Sequence, residues 1–149
     1  MATMKVDITK ALDKLDLTKQ VAITEGEVMI MQATEIGAAA ARTALDLAET
    51  EYGRYRMSIG KGNSSGRNDT GSMINDLRAL DPKISDDKVE AKFGWGRGRS
   101  KKYYEAQENG TAKIAAAHSL LDGERAILNE LPRLERNMKS RISRRTKGK

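Results

Sequence analysis

The sequence predicts a helix-dominated fold with a small β-hairpin set between two long helices. Two patterns and one property of composition predict it. Apolar residues recur at helical steps from Thr18 to about Met57 and again from Ile127 to Ile142. Between them, Lys88 to Trp95 alternates apolar and polar residues as a half-buried strand does. Of the 149 residues, 38% are hydrophobic but only 4% aromatic, so the core must be built from Leu, Ile, Val, Met and Ala. Such residues suit helices better than a large sandwich. The length fits one domain with a real core.

Taken in order, Asp7 is placed to cap a short helix through Leu17, with Leu12 and Leu15 on one side. The long signal that follows begins with clustered apolar residues, Val21 to Met31, compatible with a strand or a buried helix start; we favour helix. Its second half carries Leu45, Ala48, Tyr52, Tyr55 and Ile59 at alternating steps of three and four. Ala38 to Ala41 offers little bulk, so another element can approach closely there, and Gly26, Gly37 and Gly53 are candidate breaks. Ser58 to Gly71 is a loop rich in turn formers. Met73, Ile74, Leu77 and Leu80 fit a short helix or an irregular strand, ended by Asp81-Pro82.

Ser85-Asp86-Asp87 is a plausible turn that sets Ile84 and Val89 on two strands of a hairpin, with Val89, Ala91, Phe93 and Trp95 on one face. Gly94, Gly96 and Gly98 then open a basic loop. Lys102 to Thr111 reads as a corner carrying Tyr103-Tyr104 and Asn109-Gly110-Thr111, followed by an alanine-rich run into the last helix. In that helix Ile127, Leu131, Leu134, Met138 and Ile142 share a face, and Pro132 predicts a kink or restart. Residues 144–149 carry no apolar side chain and read as a basic, disordered tail after a domain spanning 1–143.

The absence of cysteine excludes disulfides and thiolate metal sites, and a single histidine argues against a catalytic dyad or a zinc cluster. Gly94-x-Gly-x-Gly98 lacks the strand-helix context of a dinucleotide site, and no Walker-type Gly-Lys-Ser/Thr occurs. His118 reads as a helix-start or packing residue. Glu105 and Glu108 suit one helix face and ion pairing with the basic loop rather than acid–base work. We therefore expect no enzyme activity and no cofactor. An N-terminus without an apolar core, and no apolar run near the roughly 20 residues of a membrane span, predict a soluble protein with no membrane partner.

The net charge of +6 is concentrated at one end. Arg133 to Lys149 holds eight basic residues against Glu135 alone, a local +7, which leaves −1 for the rest of the chain. This segment has three readings: a solvated end, a sequence-independent contact with phosphates, or a contact with acidic protein surfaces.

Several of these features in one order resemble a known family. They are a long helix ending in small and basic residues, Thr70-Gly71-Ser72-Met73-Ile74 after a flexible loop, and the strand Ala91-Lys92-Phe93-Gly94-Trp95-Gly96. Tyr103-Tyr104-Glu105 spaced ahead of Asn109-Gly110-Thr111, and a final helix, complete the set. From roughly Ala39 to Ile127 the chain resembles the tail-completion (neck, head-tail joining) proteins of long-tailed bacteriophages. Tyr104, Glu108, Gly110 and Thr111 match the family's aromatic and acid before Gly-Thr, and His118 matches its basic position. The proline and phenylalanine that usually follow are replaced by Ala115, Ala116, Ala117, Ser119 and Leu120.

The resemblance implies an α+β fold, with a long N-terminal helix and a C-terminal helix packed on a small antiparallel sheet. It implies a structural virion protein, found in the host cytoplasm during assembly. Its subunits would form a homo-oligomeric ring, likened to a hexamer, between head-closure or tail-terminator rings and the tail tube, with DNA in the lumen. On this reading Arg97, Arg99, Lys101, Lys102 and Tyr104 are candidate subunit or ring contacts, and Arg136, Arg141, Arg144 and Arg145 candidate DNA contacts. The alternative is a small nucleic-acid-binding protein that uses the basic C-terminal helix.

Overall fold

Two 29-residue helices, α1 (Lys19–Leu47) and α4 (Ser119–Lys147), dominate the computed structural model. The structure describes residues 2–6, 19–47, 55, 58–60, 72–85, 88–96, 101–112 and 116–147. Between the helices lie α2 (Ser72–Asp76), β2 (Leu77–Ala79), β3 (Lys83–Ile84), β4 (Val89–Trp95) and α3 (Lys101–Asn109); β1 (Ala2–Val6) precedes them all. The fold is α+β, as the family resemblance implies.

β4 is the centre of an antiparallel sheet. β1 pairs along one edge, from Ala2 opposite Phe93 to Val6 opposite Val89. β2 and then β3 pair along the other, with Leu77 opposite Trp95 and Ile84 opposite Val89. Asp81-Pro82 separates β2 from β3, since proline has no N–H to give to a ladder. The expected hairpin forms and is closed by Ser85 and Lys88, which exchange backbone hydrogen bonds of 2.9 and 3.4 Å. Alternation along β4 buries Val89, Ala91, Phe93 and Trp95, as its period of two predicts.

α1 forms because its buried residues repeat at steps of three and four: Ala22, Met29, Ala33, Ala41 and Leu45 line the core. Its threonines, whose hydroxyls can compete with the ladder, are absorbed by it. Thr24, Thr34 and Thr43 donate their hydroxyls to carbonyls four residues earlier, at 2.9, 3.0 and 3.1 Å. The helix does not break at Gly26 or Gly37. Gly37 serves close approach instead: α4 crosses there, and a Cβ on Gly123 would lie 2.6 Å from the Gly37 carbonyl oxygen. The same Cβ would lie 2.6 Å from Cε2 of Phe93, so the ring of Phe93 seals the junction of the two helices and the sheet.

Four expectations are corrected or narrowed. Residues 101–109 form a helix, α3, rather than an open corner; the turn comes at Gly110, whose φ of 78° caps it. α4 begins at Ser119, and residues 116–118, just before it, are not helical. Of the kink or restart expected at Pro132, the restart does not occur: α4 passes through without ending, with that residue exposed and the carbonyl it cannot serve on a solvent-facing turn. It also continues to Lys147, so 144–147 are helical rather than an irregular tail. Of the stripe in the second half of the long signal, Leu45 is buried, whereas Tyr55 and Ile59 are exposed. The short helix expected after Asp7, most of the 58–71 loop, and residues 97–100 lie outside the described residues.

Candidate functional site

The segment singled out by its aromatic pair and its acids builds the start of α4. α3 turns Tyr104 inward, where it is buried, with its ring centroid 5.5 Å from that of Trp95. Its hydroxyl donates to Oδ2 of Asp76 at 2.7 Å, and the Trp95 indole donates to the Met73 carbonyl at 2.7 Å. Tyr104 is thus part of the subunit's own core, which corrects its assignment as a contact between subunits. Tyr103, its exposed neighbour, is packed edge-on at 6.1 Å.

One turn later Glu108 is buried, and its carboxylate meets the N-terminus of α4. Oε2 accepts from the Ser119 N–H at 3.0 Å and from its hydroxyl at 2.6 Å, and Oε1 accepts from the Leu120 N–H at 2.7 Å. Helix starts leave N–H groups unpaired and carry partial positive charge, so a carboxylate here serves as both acceptor and counter-charge. His118 holds the residue position where a Ser, Asp or Asn would normally do this. Its φ is 53°, and its N–H donates to the Glu108 carbonyl at 3.1 Å. Glu108 therefore caps a helix instead of pairing with the basic loop. His118 starts that helix, as the sequence indicated.

The other end of α4 is fastened by a second buried acid. Glu25 of α1 receives Nε of Arg141 and, at 3.0 Å, Nη1 of Arg145. Its side chain is only 6% exposed. Two of the four residues assigned to DNA are thus engaged within the fold. The other two, Arg136 and Arg144, are exposed. Of the remaining candidates, Arg97 and Arg99 lie outside the described residues, and Lys101 and Lys102 open α3.

Between α1 and α4 runs an open groove of about 570 Å³. Val28, Met31, Ile36 and Leu134 give it an apolar lining, with Glu35 on one wall and Arg133 on the other. Val28 and Met31 are 38% and 48% exposed, although they stand on the helix that supplies most of the core. Among the described residues no group of three or more His, Asp or Glu side chains is placed to hold a metal ion. No helix among them is long and apolar enough to cross a membrane.

Protein-family models, curated proteins and solved structures return no match to this chain.

The Glu108 cap and the Glu25 clamp were both missed in sequence. Glu25 had a signal: it stands between Ala22 and Met29, on the stripe that turns inward, where a carboxylate needs a partner. Glu108 had none, because its partners are eleven and twelve residues away on the next helix.

Proposed function

We propose that this protein is a structural subunit of a bacteriophage neck, assembling as a homo-oligomeric ring of six copies that joins head to tail around the DNA channel. Its partners on this reading are head-closure or tail-terminator proteins and the tail-tube protein, and it performs no chemistry. The observation that carries the reading is the corner leading into α4. Tyr104, Glu108 and Gly110, which bear the resemblance, have structural jobs there: a core anchor, a helix cap and a left-handed turn. A motif spent on launching a helix belongs with a scaffold role.

The α1–α4 groove supports the same reading. An apolar channel flanked by one acid and one base suits a neighbouring subunit, which would bury Val28 and Met31 and meet Glu35 and Arg133 with opposite charges. Mass measurement of the purified chain, alone and mixed with a tail-tube protein, tests the proposal. The expected result is a particle of six times 16.4 kDa in at least the mixture, seen as a ring by electron microscopy. A 16.4 kDa monomer under both conditions contradicts it.

A further inference from the structure

We propose that the outward face of the C-terminal half of α4 binds the phosphate backbone of duplex nucleic acid without reading its sequence. The structure divides the basic residues of this helix into two sets. Arg141 and Arg145 reach Glu25, Arg133 pairs with Glu130, and Arg125 lies 3.5 Å from Asp122. Arg136, Lys139, Arg144 and Lys147 are all exposed, and no acid among the described residues lies within ion-pair distance of them. Internal pairing therefore consumes one set and leaves the other facing solvent.

Their spacing makes a surface. At about 100° per residue the four fall within an arc of roughly 140°, opposite the buried Leu134, Met138 and Ile142. At about 1.5 Å per residue they run some 16 Å along the axis. The acid that flanks this stripe is Glu135, partly buried at its edge. Between the charges stand Ser140 and Ser143. Arg144 donates to the Ser140 hydroxyl oxygen at 3.3 Å, which leaves that hydroxyl its own proton to donate.

The composition of the stripe selects among polyanions. A helix lying on an anionic membrane needs an apolar face to insert, and in this half of α4 the apolar residues Leu134, Met138 and Ile142 are consumed by the core. Single strands are gripped by aromatic stacking, and the stripe holds no aromatic residue. Acidic protein partners need apolar or aromatic anchors, which are equally missing here. A row of fixed cations with short hydroxyl donors matches what duplex phosphates require.

The test is fluorescence anisotropy of a labelled duplex of arbitrary sequence, titrated with the full chain between about 50 and 200 mM salt. Four phosphate contacts at about −0.9 each predict a log–log slope near −3.6, a roughly 150-fold loss of affinity across that range. Each single substitution, Arg136→Gln, Lys139→Gln, Arg144→Gln or Lys147→Gln, should lower the slope by about one. The quadruple variant should lose binding while its circular dichroism stays unchanged, and Arg136→Lys with Arg144→Lys should keep the slope. Unaltered duplex binding by the quadruple variant overturns the proposal, as does tighter binding of a single strand, an acidic vesicle or an acidic peptide. The site is independent of the ring: a chain that stays monomeric yet binds duplex in this way upholds it.

Discussion

Replacing Glu108 with alanine removes the acceptor for three hydrogen bonds at the start of α4. Ser119 is fully buried, so its N–H is left without a partner, at a cost of about 1–3 kcal/mol. The Leu120 N–H is only partly buried and regains water, so its loss resembles that of an ordinary cap, about 1 kcal/mol. Removing the negative charge from the helix terminus adds about 0.3–1 kcal/mol. The contributions share one group and are not independent, so we expect about 3–4 kcal/mol in total. Glu108→Gln keeps the shape and one acceptor but turns an amide N–H₂ toward a donor, and should cost about half as much. Urea unfolding at neutral pH reads both, as a lower midpoint at unchanged slope. A Glu108→Ala protein within about 0.5 kcal/mol of wild type, the range of an ordinary surface change, refutes the capping role.

Other substitutions test the remaining joints. Gly123→Ala should destabilise by about 1–3 kcal/mol in the same assay despite better helix propensity, because its Cβ meets the Gly37 carbonyl and the Phe93 ring; a stabilised variant would contradict that crossing. His118→Gly should stabilise by up to about 1 kcal/mol, read as a higher unfolding midpoint, since the exposed histidine holds a φ of 53° that glycine adopts without strain. Tyr104→Phe should cost about 0.5–1.5 kcal/mol by thermal denaturation, losing the bond to Asp76 while keeping the stack on Trp95.

What could be read from the sequence was local. The period of two in Val89, Ala91, Phe93 and Trp95 located β4, and steps of three and four located both long helices. The Ala38–Ala41 run pointed to close packing, although the contact centres on Gly37 and comes from Gly123 and Phe93. What could not be read depends on distant partners. β1 is a five-residue strand whose partner, β4, lies on the far side of α1, so nothing adjacent marks it. The C-terminal turns of α4 carry no apolar residue after Ile142, yet Arg141 and Arg145 are fastened to a carboxylate 116 and 120 residues away. The α3 segment misled because Asn109-Gly110 signals a turn, and that signal marks the end of a helix as readily as a loop. Of the candidate site, the corner residues were visible as a motif, but their work as anchor and cap became evident only when α2, α3 and α4 met.

The role of the α1–α4 groove is tested most directly by sedimentation, with the tail-tube protein present, of the wild-type chain beside a Val28→Asp, Met31→Asp double variant. Both positions are exposed in the single subunit, so the variant should fold and unfold like wild type. We predict that wild type sediments as a multiple of the 16.4 kDa chain and that the double variant shifts to single subunits. Identical sedimentation of the two, whether as monomers or as the same particle, would contradict a ring closed through this groove.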